Sequence, residues 1–308
     1  MPRRSRISIA KPQIEAHLNQ SSRWVYTHRQ LAHLLEVYRP TWKLAWSMRA
    51  GQFIDYLCTK SHLREELFAP TEEKYAARPI RRYLWRTPSF LEIGTGLFGN
   101  SYLSHGTAVF VHGLNDQLPT TVYVNREQSP KPRGSGSLTQ AAVDRAFGRK
   151  SKQRKSRLVY RSSDAADPHH YVALAGKHTD RAGVIEVRMP EGRVIDVTNL
   201  ERTLIDIAVR PAYAGGVDRV LEAYQVAARE GASVGRILPL LETLDYVYPY
   251  HQCIGFYAER AGFRESQLAR LERLDKPVDF YLTYGMKRTA YVERWKLFVP
   301  DNLVSDDR

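Results

Sequence analysis

Arg49 and Gln52 are the two side chains in this 308-residue chain best suited to reading bases. A guanidinium donates two parallel hydrogen bonds to guanine O6 and N7, and a glutamine amide matches adenine N6 and N7 in the major groove. Both fall at the start of a stretch in which Ala50, Phe53, Ile54 and Leu57 follow helical spacing, with Ser47 in position to cap it. Met48, Arg49, Gln52 and Tyr56 then share the opposite face. Lys43 before this helix, and Arg81 and Arg82 after it, carry the charge to hold phosphates, which positions a protein on a duplex without reading its sequence. Thr27, Arg29 and Ser47 complete the set expected at DNA.

These side chains need elements to hold them. Ile14 and Leu18, then Leu31, Leu34, Leu35 and Tyr38, recur at helical spacing, and Thr27 is placed to cap a helix running to about Val37 that Arg39-Pro40 ends. Residues 63–68 and 81–85 read as a hairpin across a polar loop. Three helices followed by a hairpin with a basic strand is the order of a winged helix-turn-helix, expected over residues 1–88, with the second helix of the pair entering the major groove. The charge agrees. Residues 1–49 hold Arg3, Arg4, Arg6, Lys11, Arg23, Arg29, Arg39, Lys43 and Arg49 against Glu15 and Glu36, and the whole chain has a net charge of +13, which attracts polyanions.

Other residues allow other chemistry. Gly94, Gly96 and Gly99 form a G-x-G-x-x-G string after a possible strand at 89–93, the spacing of a dinucleotide-binding turn. The acidic residue such a site requires after the next strand is missing, because residues 121–124 run into Asn125-Arg126. The alternative is a glycine link to the next domain. His105 and His112 stand two turns apart on an expected helix, with no third metal ligand in view. Lys131, Arg133, Arg145, Arg149, Lys150, Lys152, Arg154, Lys155, Arg157 and Arg161 face only Asp144 within residues 130–161, a run that suits a phosphate backbone, an adaptor for RNA or a toxin, or a solvated loop. Of these, Lys131, Arg133, Arg149, Lys150, Lys152, Arg154, Lys155 and Arg157 are the candidate basic face. Residues 138–147 have the pattern of a short helix within it.

Further on, residues 184–187 and 193–197 flank Pro190-Glu191-Gly192 as a hairpin, and Thr198 with Glu201 has capping-box spacing for a helix over 201–209. Asp206 lies among Leu204, Ile205, Ile207 and Ala208, so its burial requires a partner. An amphipathic helix over 217–230 stops at Gly231. At these residues the chain resembles the AbiEi family, the antitoxin and transcriptional-regulator half of abortive-infection systems. The matching strings are Ser101-Tyr102-Leu103-Ser104-His105-Gly106-Thr107-Ala108 with His112-Gly113-Leu114, then Thr121-Val122-Tyr123-Val124, and Glu201-Arg202-Thr203-Leu204-Ile205-Asp206 through Arg210-Pro211-Ala212-Tyr213-Ala214-Gly215-Gly216. They span roughly residues 91–224. The resemblance implies an α+β chain in which the winged helix precedes an AbiEi-type domain over 89–308. It also implies a repressor that binds inverted repeats in its own promoter, and an antitoxin that opposes a nucleotidyltransferase toxin without a stable complex, as in type IV toxin-antitoxin phage defence. The family brings no catalytic residue, cofactor or metal.

The remaining residues, 231–308, read as a closing subdomain with helices near 237–244, 253–260 and 267–274 and aromatic strands near 279–284 and 291–299. Tyr246, Tyr248, Tyr250 and His251 suit either base stacking or packing between helices. With 43% hydrophobic and 26% charged residues, the composition excludes a wholly disordered chain and an integral membrane protein. Two cysteines, Cys58 and Cys253, are too few for a disulfide framework and suit a reducing cytoplasm. No export segment is expected at the start, where the apolar stretch is only Ile7-Ser8-Ile9-Ala10.

Overall fold

Helix α1 (Arg6–Gln20) starts at Ser5, whose hydroxyl accepts from the Ser8 amide, and buries Ile7, Ala10, Ile14 and Leu18 along one face. The computed structural model that contains it describes residues 5–72, 77–130 and 138–304. After strand β1 (Val25–Tyr26), helix α2 (His28–Tyr38) begins with a capping box: Thr27 accepts from the Gln30 amide, and the Gln30 side chain accepts from the Thr27 amide. Helix α3 (Ala50–Lys60) buries Phe53, Ile54 and Leu57. It starts later than Ser47 would place it, with Arg49 at the N-cap and Gln52 Oε1 accepting from the Arg49 amide at 3.0 Å. Buried Arg39 explains the delay. Its guanidinium donates to the carbonyls of Ala45 (2.7 Å) and Met48 (3.0 Å), fastening residues 45–48 in a turn that must finish before the helix begins.

Strands β2 (Leu63–Pro70) and β3 (Ile80–Trp85) pair antiparallel, as their alternation predicts, and β1 adds to the far side of β3. The sheet does not stop at residue 88. The other edge of β2 pairs with β6 (Val159–Ser162), Phe68 opposite Ser162, and the order continues through β7 (His170–Gly176), β5 (Thr121–Glu127), β4 (Tyr102–Leu103), β9 (Val194–Thr198) and β8 (Val184–Arg188). One nine-stranded sheet therefore spans both expected domains. Buried Glu66 fixes the junction, since its Oε1 accepts from the hydroxyls of Ser162 (2.5 Å) and Ser163 (2.8 Å) and from the Asp164 amide (2.8 Å).

Residues 89–93, expected as a strand, begin helix α4 (Phe90–Leu97), because Ser89 and Glu92 form a reciprocal cap. The glycine string consequently lies in and just after a helix packed on the sheet. A Cβ on Gly94 would meet Leu103 and Val122 at 2.9 Å, and one on Gly96 would meet Val25 at 2.5 Å, so both glycines let helix and strands approach closely. Gly99 has open space around it.

Helix α5 (His105–Val111) and helix α6 (Gln140–Phe147) lead to helix α7 (Leu200–Val209), which is buried at every position from Glu201 to Val209. Its N-cap is Asn199, accepting from the Arg202 amide at 2.8 Å, rather than Thr198. Thr198 bonds the Thr203 hydroxyl instead, and Glu201 accepts from Arg236. Helices α8 (Val217–Arg229), α9 (Val234–Leu244) and α10 (Tyr250–Arg260) pack on α7, and α11 (Glu265–Glu272) packs on α9 and α10. A second sheet of β10 (Phe280–Tyr281), β12 (Leu297–Pro300) and β11 (Thr289–Val292) closes that end. These elements share one hydrophobic core that runs from Val109 to Leu303.

Substituting Gly96 with Ala is expected to cost about 1–3 kcal/mol, the usual penalty for overpacking, whereas Gly99→Ala is neutral within about 0.5 kcal/mol. Urea denaturation of the two variants checks this; equal midpoints would remove the close-approach role.

Candidate functional site

The residues expected at DNA fall into two groups. Arg29, Lys43, Ser47, Arg49 and Gln52 are exposed on or beside α2 and α3, and helical geometry puts Gln52 opposite the buried Phe53, Ile54 and Leu57 stripe. Asp55 and Thr59 share its exposed face. Thr27 is engaged in its cap, its hydroxyl donating to Gln30 Oε1. Lys43 occupies a left-handed turn, φ 50°, that closes α2. Sequence reasoning missed two residues here. Trp46 stands 81% exposed in the turn that leads to Arg49, and Arg39 is the buried residue that holds this turn.

Arg81 and Arg82 separate sharply. Arg81 is exposed and ion-paired with Glu65 at 3.1 Å, a contact worth little in water. Arg82 corrects the expectation of a phosphate ligand: its Nε donates to the Gly96 carbonyl at 2.8 Å and its Nη2 to that of Leu97, so it satisfies the C-terminal end of α4. Burial lowers its pKa. Of the basic run, Arg149, Lys150, Lys152, Arg154, Lys155 and Arg157 are exposed in an irregular segment between α6 and β6. Lys131 and Arg133 lie outside the described residues.

That segment borders a feature no single string announces. A cavity of about 1140 Å³ opens between the ends of β5 and β7, helix α7 and the α9–α10 turn. Arg154, Lys155 and Arg210 line it together with Lys177, His105, Asp206 and five tyrosines, Tyr213, Tyr246, Tyr248, Tyr250 and Tyr284. The basic segment is fixed against it, because the Ser156 amide donates to the Tyr213 hydroxyl at 2.8 Å and the Ser156 hydroxyl to the Ala173 carbonyl at 2.6 Å. The stacking residues of the 246–251 string are thus divided: Tyr246, Tyr248 and Tyr250 line the cavity while also packing on one another and on Phe280, and His251 does not line it.

Asp206 has the partner its burial demands. Arg202 Nε donates to Asp206 Oδ1 at 2.8 Å, one helical turn apart, with both side chains 5% exposed. Burial opposes the charge of Arg202, yet the Asp206 carboxylate holds its pKa above the ordinary value. Arg202 also donates to the Ala182 carbonyl at 2.7 Å. Asp206 Oδ2, in contrast, is buried with no hydrogen-bond partner among the described residues.

The two histidines do not act as a pair. His105 is buried at the start of α5 with φ 51°, its Nδ1 2.9 Å from the Ser104 hydroxyl, and burial lowers its pKa to about 4. His112 ends α5 and places Nε2 2.6 Å from the Thr198 carbonyl.

Together these features define a mixed α+β protein built on one large sheet, with a helix pair whose connecting turn exposes Lys43 and Arg49 beside β1–β3, and a tyrosine-lined cationic cavity beside β5 and β7. The sequence matches no family model and no curated protein. Among solved structures, the RV2827C protein from Mycobacterium tuberculosis shares the fold, with a TM-score of 0.51 and 12% sequence identity over 94% of this chain and 91% of that chain. No described helix is long and apolar enough to cross a membrane.

Replacing Asp206 with Leu alone is expected to cost about 3–5 kcal/mol by stranding the Arg202 charge, and the Arg202→Met/Asp206→Leu double variant to recover most of that loss. Additive losses in a double-mutant cycle would contradict the pairing. Acid acts through His105 in a fixed direction: its depressed folded pKa means that stability is full above about pH 6.5 and falls as pH drops toward 4, because only the unfolded chain takes the proton. At pH 5 the loss is about 2 kcal/mol. His105→Asn, which tolerates positive φ, is expected to flatten this part of a denaturation series run from pH 7 to pH 5.

Proposed function

We propose that this protein is a DNA-binding transcriptional repressor and antitoxin of the AbiEi class, acting in the cytoplasm on its own promoter and opposing a nucleotidyltransferase toxin. The observation that carries the reading is the α2–α3 pair, with Arg49 and Gln52 exposed at the start of α3 and Lys43 in the turn before it. The element order α1-β1-α2-α3-β2-β3, with β1 beside β3 and β3 beside β2, supports a winged helix. In that geometry α3 enters the major groove, where Arg49 and Gln52 reach base edges and Trp46, Lys43 and Arg29 lie against the backbone. Residues 5–88 and the rest of the chain serve as DNA-binding and antitoxin parts joined by the shared sheet. The AbiEi-like strings supply the antitoxin half of the proposal. They fall on β4, α5, β5 and α7, of which α5, β5 and α7 contribute to the cavity wall, while the glycine string has a packing role that gives a nucleotide-dependent enzyme no support at those residues.

Fluorescence anisotropy with the promoter duplex and a scrambled duplex tests the DNA half. Arg49→Ala and Gln52→Ala should each lose about 1–3 kcal/mol on the promoter and little on scrambled DNA, while Lys43→Ala and Arg29→Ala weaken both equally and reduce the salt slope by about 1. Equal losses on both duplexes for every variant would refute the assignment of readers. Co-expression with a nucleotidyltransferase toxin of the AbiE class tests the antitoxin half: growth is expected to recover only when this protein is present.

A further inference from the structure

We propose that the tyrosine-lined cavity is a binding site for a nucleoside phosphate, with the phosphates held at the rim by Arg154, Lys155 and Arg210 and the base lodged inside, donating a hydrogen bond to Asp206 Oδ2. The site is separate from the DNA-reading face of α3.

Three observations lead to this ligand. The first is a cationic rim with donors to spare. The side chains of Arg154 and Lys155 are exposed, and Arg210 makes one long bond, Nη1 to the Arg154 carbonyl at 3.5 Å. Lys177, by contrast, is engaged with Asp245 and with the carbonyls of Leu244 and Asp245, and Arg202 with Asp206 and the Ala182 carbonyl. The rim therefore has anion-binding capacity that the fold leaves unused, and Ser156 pins it in place through Tyr213.

The second is the unsatisfied acceptor. Asp206 lines the cavity at 4% exposure, its Oδ1 taken by Arg202 and its Oδ2 without a partner. A buried carboxylate oxygen left unpaired costs roughly 1–3 kcal/mol or more, so the site favours a ligand that brings an N–H. A bare phosphate would be repelled there. The ligand must carry an anionic end and a hydrogen-bond-donating end, held apart by its own framework.

The third is the wall. Tyr213, Tyr246, Tyr250 and Tyr284 line the cavity, and aromatic side chains of this kind suit a planar ring. His105 beside them is uncharged at neutral pH. A volume of about 1140 Å³ exceeds what an isolated phosphate or sugar needs and accommodates a nucleotide. A heteroaromatic base with ring N–H or exocyclic amine donors, joined through a sugar to phosphates, meets all three conditions.

Isothermal titration of the full chain with ATP, GTP, CTP and UTP tests the site, with pyrophosphate and a 5′-phosphorylated tetraribonucleotide as the other arms. At least one nucleotide is expected to bind with a Kd below about 1 mM. The exposed double variant Arg154→Ala/Lys155→Ala, which should keep the native circular dichroism spectrum, is expected to weaken it about tenfold or more, as is Tyr246→Leu. Pyrophosphate should bind about tenfold more weakly than the preferred nucleotide. Tighter binding of the tetranucleotide assigns the site to a strand end, and tighter binding of the mononucleotide to a free nucleotide. The proposal is overturned if neither binds, if pyrophosphate binds as well as the nucleotides, or if Arg154→Ala/Lys155→Ala leaves affinity unchanged.

Discussion

A helix that is covered on every side can keep a charged residue only if that residue has an opposite charge within reach, and α7 carries three, Glu201 with Arg236 as its partner and the pair Arg202 and Asp206. Arg202 and Asp206 sit one turn apart on the covered helix and satisfy each other at 2.8 Å. Much of the carboxy-terminal architecture follows from that constraint. The Arg202 guanidinium also bonds the Ala182 carbonyl in the turn before β8, so the helix is registered against the end of the sheet as well as against α8 to α10. Hydrophobic replacements of matched volume often stabilise such a position about as well. The pair borders a large cavity with one carboxylate oxygen left over, and the proposed ligand would occupy that oxygen.

The sheet provides the complementary constraint. Because β2 pairs with β3 on one edge and with β6 on the other, the amino-terminal helices are positioned by main-chain hydrogen bonds and by the Glu66 cluster. Arg23 strengthens this junction from a second direction, bonding Asp196 on β9 at 2.9 Å, while Arg193 lies over the Trp24 ring at 4.0 Å and bonds Glu92 on α4. The exposed face of α3 and the cavity accordingly belong to one β framework.

What could be read from the residues in advance was local. Thr27 with Gln30, the Phe53-Ile54-Leu57 stripe, the β2–β3 and β8–β9 hairpins and helix α8 each declare themselves within a dozen residues, and each forms close to where its pattern places it. The errors came where a local signal had two readings. Ser89 with Glu92 can cap a helix, but the glycines that follow suggested a strand and a turn; packing against Val25 and Val122 decided for the helix. Arg82 looked like a phosphate ligand because nothing nearby in sequence reveals that the end of α4 will arrive beside it. The cavity was invisible for the same reason. Its rim, floor and wall come from residues 105, 154–155, 206–210 and 246–250, which only the β5–β7 parallel pairing and the packing of α7 bring together.

The pairing of β2 with β6 also governs how the chain can be divided. A fragment ending after β3 would uncover the outer edge of β2 at Phe68–Pro70 and strip Phe68 of Tyr171, the ring that meets it edge-on at 5.5 Å. Unpaired amide and carbonyl groups next to a bare aromatic make an adhesive border that other chains can extend. The isolated amino-terminal portion is thus inclined to self-associate through that border, which in the intact protein is covered by β6, Val159–Ser162, nearly a hundred positions away in the chain.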